Sequence, residues 1–269
     1  MNGKTILSGI AVLVVILNIM GCANVSSAFL ASDTLISAAT KQNEEDYPVR
    51  KEVRQMLQLS PNSIVDVSGI EGSVEVETTN GSTAEIVFVR EARTQTDFDC
   101  ETISVEQSAD KLVISHLTKK EKQCRVIQAR EHLKLSVPRT ANLTFENIEG
   151  GFSVGATEGF LRLKNIEGAV RIEQAQAAEL GSIESNVSLN VAEINSHGIT
   201  INNIEGAVEL GVKRNLNADL KVDSSNVQID IPNTQINSYG RKSCQFQLGT
   251  GGNTISISNI EGGVKIRGI

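Results

Sequence analysis

The six residues NIEGAV at Asn165 recur with small changes as NIEGGF at Asn147, NIEGAV at Asn203, NIEGGV at Asn259 and GIEGSV at Gly69. The glutamates in matching frames, Glu149, Glu167, Glu184, Glu205 and Glu261, are spaced by 18, 17, 21 and 56 residues, the last being about three intervals. Degenerate copies fill the rhythm: SIESNVSL at Ser182, DSSNVQI at Asp223 and TGGNTISI at Thr250. Between them lie FLRLK, AAEL, GITIN, ADLKV and CQFQL, so one interval carries two short strands and two turns. A period near 20 residues marks a chain built of stacked repeats.

The physical reason is burial. In FLRLKNIEGAVRIE, Leu161, Leu163, Ile166, Val170 and Ile172 fall on one side, and Arg162, Lys164, Arg171 and Glu173 on the other. One coil cannot bury that narrow aliphatic face. A second coil about 4.8 Å away pairs every strand and covers it. The expected fold is all-β: an N-terminal antiparallel β module followed by a β-solenoid of about 18–20-residue coils. The hexapeptide marks the corner of each coil, with Ile entering the core and Glu facing solvent. Gly72, Gly150, Gly168, Gly206 and Gly262 are expected to supply a positive φ there, with Asn186 and Asn226 replacing glycine in ESN and SSN. The Asn before each corner is expected to share its amide with the Asn of the next coil.

The rest of the chain divides around this array. Residues 1–21 look like a signal peptide, with a short basic start and an apolar run ending in NIMGC. Cys22 is the expected lipidation site, and an ordinary signal-peptidase cut after Ala28 is the alternative. Residues 22–50 are small, polar and charged, a tether. Residues 51–137 alternate apolar and polar in SIVDVSG, GSVEVET, AEIVFVREA and HLKLSVP, between turns such as TTNGS, and read as an antiparallel module or cap. Residues 138–269 hold the repeats.

The frame LSVPRTANLTFENIEGGFSV, the repeated units with aliphatics at alternate positions after a glycine, and SIVDVSGIEGSVEVETTNGSTAEIVFVREAR resemble the bacterial putative-adhesin family of unknown function. The likeness runs from about Gln55 to Ile269. It implies an exported β-helical domain and brings no agreed catalytic residues. This chain departs from the usual Gly-Asp or Asn-Gly corner by writing Ile-Glu-Gly, which adds acid along one edge.

Chemistry-bearing patterns are few. The chain has 32 acidic and 25 basic residues, a net charge of -7, which disfavours nucleic acid. Cys100 and Cys124 bracket a hairpin and are candidates for a disulfide, leaving Cys244 as a buried apolar thiol. Glu149, Glu167, Glu184 and Glu205 are the side chains that would hold Ca²⁺. However, carboxylates about 5 Å apart in water repel by only about 0.8 kcal/mol, so a solvated stack needs no metal. No metal and no cofactor is therefore assigned. His116, His132 and His197 share no motif and are expected on the surface or on strand faces. A glycosidase needs two carboxylates in different environments, and the chain has two Tyr and no Trp to pack on sugars. No catalytic residue is assigned. The sequence points to a non-catalytic, exported envelope protein of adhesin or scaffold type, membrane-anchored through lipid, facing the periplasm or the surface. A secreted or periplasmic form is the alternative. Its partners are expected to be an envelope protein or glycan, with self-association through the C-terminal coil. A carbohydrate-active enzyme and an envelope-stress regulator are the alternatives from other classes.

Overall fold

The structure, a computed structural model, describes residues 47–108, 110–120, 124, 128–231, 235–239 and 243–269. The signal peptide, Cys22 and nearly all of the tether lie outside the described residues. The described chain is all-β, with one short helix. Its strands are β1 (Val49–Gln58), β2 (Ile64–Ile70), β3 (Gly72–Thr79), β4 (Thr83–Ala92), β5 (Glu101–Gln107), β6 (Lys111–Thr118), β7 (Ala129–Pro138), β8 (Asn142–Ile148), β9 (Phe152–Ile166) and β10 (Val170–Ile183). Then follow β11 (Val187–Val191), β12 (Ile199–Ile204), β13 (Val208–Val212), β14 (Ala218–Asp223), β15 (Val227–Asp230), β16 (Gln235–Tyr239), β17 (Ser243–Leu248), β18 (Thr254–Ile260) and β19 (Val264–Gly268). Helix α1 (Gln95–Cys100) precedes β5 and is capped by Thr94, whose hydroxyl accepts the Asp97 amide.

Pairing arranges the strands in two long parallel rows that meet at the repeated hexapeptide. In the first row β6, β2, β8, the second half of β9, the second half of β10, β12, β18 and β14 follow one another in parallel register. In the second, β7, β3, the first half of β9, the first half of β10, β11, β13, β19 and β15 do the same. Ile70, Ile148, Ile166, Ile183, Ile204 and Ile260 are successive partners in one column, none more than 9% exposed. Leu161, Leu163, Ile166, Val170 and Ile172 are all buried, and Arg162, Lys164, Arg171 and Glu173 all exposed. Each such aliphatic is worth roughly 1.5–3 kcal/mol when buried.

Four sequence expectations change. First, the boundary at 137/138 does not break the core. One cluster of buried aliphatics runs from Leu59 to Ile266, and β2 and β3 pair in parallel with β8 and β9. Both orientations occur in residues 51–137; the antiparallel pairs are β1–β4, β4–β7 and β5–β6. Second, the two strands expected per interval merge in places. β9 and β10, of 15 and 14 residues, run from one row into the other, with a register shift between Ala175 and Ala177, and in β9 a Cβ on Gly159 would lie 2.1 Å from the Ala141 carbonyl oxygen.

Third, the positive φ is not at the corner glycines. It is at Gly69, Asn147, Asn165, Ser182, Asn203 and Asn259, one residue before each buried Ile. That left-handed residue inserts one position into the alternation, so that Ile166 still points inward after Asn165. Gly72, Gly150, Gly168, Gly206 and Gly262 serve a different need. A Cβ on Gly168 would lie 2.4 Å from the carbonyl carbon and oxygen of Gly150, and one on Gly206 2.4 Å from the Ser185 carbonyl carbon. The corners pack backbone on backbone, and at these five glycines a Cβ would collide with the neighbouring row. Ser185, not Asn186, stands in the glycine frame, and the Asn186 side chain accepts the Ala207 amide instead. Asn226 caps the same side further on, its carbonyl accepting the Val264 amide.

Fourth, the C-terminal coil is not an end. β18 lies between β12 and β14, and β19 between β13 and β15. The chain passes over the future position of β18 and β19 as β14 and β15, extends through antiparallel β17 and β16, and returns to fill the gap. The rows of Glu205 and Glu261 are therefore neighbours despite the 56 residues between them, with the Glu261 amide bonded to the Ile204 carbonyl, and the intervening coil of β14 and β15 stacks on the far side of β18 and β19. Self-association through an uncovered C-terminal coil loses its structural basis.

Candidate functional site

The corner column creates one continuous edge. Glu71, Glu149, Glu167, Glu184, Glu205 and Glu261 stand in register, each exposed. From Glu149 onward each amide is bound to the carbonyl of the Ile one row back. Beside them run Asn147, Asn165, Ser182 and Asn203. The Asn165 amide donates to the Asn147 side-chain oxygen at 2.9 Å, and that of Asn203 to the Ser182 hydroxyl at 3.4 Å. The amide ladder is interrupted further along, where Asn259 donates to Asn202 rather than Asn203. Carboxylates and amides together line a groove of about 510 Å³. The four glutamates named from sequence, Glu149, Glu167, Glu184 and Glu205, are all brought to it.

At one end this groove is closed by His116 and bordered by Glu71. Behind them lies a charged cluster that the repeat pattern does not reveal. Arg90 on β4, Glu101 at the start of β5, His116 on β6 and Glu131 on β7 all point inward. Their side chains are 3%, 2%, 8% and 1% exposed. The Arg90 guanidinium donates to Glu101 Oε2 and, at 3.1 Å, to the Asp97 carbonyl; its Nη1 lies 3.9 Å from Glu131 Oε1. The Phe98 ring lies 5.6 Å from the guanidinium carbon. His116 Nε2 stands 3.3 Å from Glu131 Oε1 and 3.8 Å from Glu101 Oε2, without hydrogen-bond alignment to either.

The cluster is positioned by several elements at once. Helix α1 brings Asp97 and Phe98 over Arg90. A disulfide joins Cys100 and Cys124, whose Cα atoms are 5.4 Å apart, and fixes the residue immediately before Glu101. Cys244 is buried but is disulfide-bonded rather than a free thiol. The electrostatics follow from burial. Interaction with the Glu131 carboxylate holds the His116 pKa above its ordinary value despite desolvation, with Glu101 and Glu71 adding to it. Burial, and then the nearby charge of Glu71, push Glu101 up, against the opposing pull of Arg90. Removing one member of such a buried pair costs about 3–5 kcal/mol.

The other histidines stand apart from this cluster. His132 is half-exposed and hydrogen-bonded to Ser73, while the His197 ring lies 5.9 Å from that of Phe160. The buried charges did have a sequence signal. In AEIVFVREA, Arg90 is in phase with Ile86 and Phe88; Glu131 is in phase with Leu133 and Leu135; His116 is in phase with Leu112 and Ile114. An ionisable residue at an inward position of three alternating strands is the pattern that marks the cluster.

No family model and no curated protein matches the chain. Among solved structures, it is similar to a putative cell adhesion protein from Clostridium sporogenes at 13% identity, covering 81% of this chain and 100% of that one, with a TM-score of 0.40. A putative adhesin from Bacteroides fragilis matches at 13% identity, covering 82% of this chain and 99% of that one, with a TM-score of 0.31. A putative lipid binding protein from Parabacteroides distasonis matches at 12% identity, covering 80% and 96%, with a TM-score of 0.30.

Proposed function

We propose that the chain is a non-catalytic, exported binding protein of the cell envelope, of adhesin or scaffold type. In this reading its parallel rows form a β-solenoid of about 18–20-residue coils that presents the corner groove to an envelope protein or glycan. The observation that carries the reading is the groove itself, lined over successive rows by an exposed Glu, a buried Ile and an Asn or Ser. Equivalent carboxylates on equivalent backbone lack the difference in environment that acid–base hydrolysis of a glycoside requires. They suit a ligand that extends along the edge and meets the same donors and acceptors every about 4.8 Å.

The test is co-sedimentation of the full chain, purified in detergent, with isolated membranes and with isolated wall polysaccharide. One fraction should retain it in a salt-sensitive manner. Changing Glu149, Glu167, Glu184 and Glu205 together to Gln should abolish most of that retention, with no sugar released. Release of soluble sugar, or undiminished retention of the quadruple variant, would overturn the reading.

A further inference from the structure

We propose a metal site at the closed end of the groove, in which Glu71, Glu101 and His116 hold a divalent cation of the zinc class. One ligand-capable atom from each of these three residues lies within 4.8 Å of the other two. The second observation is independent of that grouping. His116 Nε2 and both carboxylate oxygens of Glu131 are buried and have no aligned hydrogen-bond partner. Nε2 faces Glu131 Oε1 at 3.3 Å without alignment, and a native interior rarely leaves buried polar atoms so placed without a role for them. His116 Nε2 is turned toward the cluster, 3.8 Å from Glu101 Oε2.

Charge points the same way. Glu71, Glu101 and Glu131 bring three carboxylates against the one guanidinium of Arg90. Once the ion has displaced the proton from His116, three carboxylates against one guanidinium leave an excess of two negative charges, which a dication cancels. The donor set, one imidazole nitrogen with carboxylate oxygens, suits zinc rather than Ca²⁺, which takes six to eight oxygens. Arg90 holds one oxygen of Glu101, as outer-shell groups do in known metal centres, and Glu131 Oε1, 3.3 Å from Nε2 itself, is a further oxygen on the face that the ion would occupy. The exposed Glu71 and the groove give the ion a way in. The site shares Glu71 with the glutamate column but does not depend on what binds along the rest of it.

Titration of the chelator-stripped full chain in detergent with Zn²⁺ alone, followed by calorimetry, tests the assignment. His132 and His197 are first changed to Gln, so that His116 is the last of the three histidines. One equivalent of Zn²⁺ should bind. Glu71→Gln, at an exposed corner that does not threaten folding, should weaken binding at least about tenfold, and Glu184→Gln should not. X-ray absorption of the bound form should show one imidazole among oxygen ligands. Equal losses in Glu71→Gln and Glu184→Gln, a first shell without imidazole, or no binding would each overturn the site.

Discussion

At the scale of single residues, the hexapeptide separates two demands that both favour glycine. Asn165 holds φ at 55°, while Gly168 keeps an ordinary φ but has backbone atoms of Gly150 and Gly151 within 2.5 Å of where a Cβ would be. The two positions should therefore respond to different degrees. Asn165→Gly relieves a left-handed residue and loses one exposed amide bond to Asn147, so its cost should stay within about 1 kcal/mol. Gly168→Ala must push two rows apart and should cost about 1–3 kcal/mol or more. Urea melts of the two variants decide the matter, and a larger loss in Asn165→Gly would mean that conformation, not contact, governs the corner. Sequence alone shows that glycine is favoured in this frame. It does not show whether torsion or a neighbouring backbone is responsible, because that neighbour is 18 residues away.

At the scale of elements, the informative unit is the strand whose inward phase includes a charge. β4, β6 and β7 contribute Arg90, His116 and Glu131, and α1 with its disulfide delivers Glu101. The pH dependence follows from facing groups on every packed element: Glu131, Glu101, Glu71 and Arg90 around His116. A raised histidine pKa in the folded state favours folding fully below the ordinary value of 6.5, and that contribution is lost as pH rises through the folded value. Glu101, raised chiefly by burial, acts with the same sign from its ordinary 4.5 upward, because the folded state disfavours its ionised form. In chelator, the melting temperature should therefore fall as pH is raised from roughly 6 to 9. Each tenfold gain in proton affinity on folding adds about 1.4 kcal/mol of stability at the low-pH end, and that amount disappears at the high-pH end. His116→Gln should flatten the upper part of that profile; an unchanged slope would show that other groups set it. The strands themselves were legible in the period-two alternation, and so was the burial of Ile166 and its equivalents. The cluster was only half legible: the inward phase of Arg90, Glu131 and His116 is in the sequence. Their meeting depends on β7 pairing with β4 and β6 with β2, which alternation does not encode.

At the scale of the molecule, the order of rows differs from the order of the chain. Repeat spacing implies that each coil rests on the one before it, which would make β18 and β19 the last row. They are instead an interior row, bonded on both sides, while β15 pairs among the described residues with β19 alone. Local repeats could not reveal this, because every row presents the same aliphatic column and the hexapeptide of Asn259 fits as well against Asn203 as against any nearer copy. The consequence is measurable. Ile257 is 1% exposed and sits between Ile201 and Val222, whereas Ile229 in β15 is 9% exposed and has Ile266 on one side. Ile257→Ala should cost about 2–5 kcal/mol, toward the upper end because neighbours on both sides cannot collapse into the space. Ile229→Ala should fall at or below the lower end, since an outer row relaxes more freely. Amide exchange should likewise be slowest in residues 255–260 and faster in 227–230, as expected where one row closes a stack and the other borders it. The reverse ranking, in both the melts and the exchange, would return β18 and β19 to the end of the stack. It would also restore the C-terminal coil as a surface for a second copy of the chain.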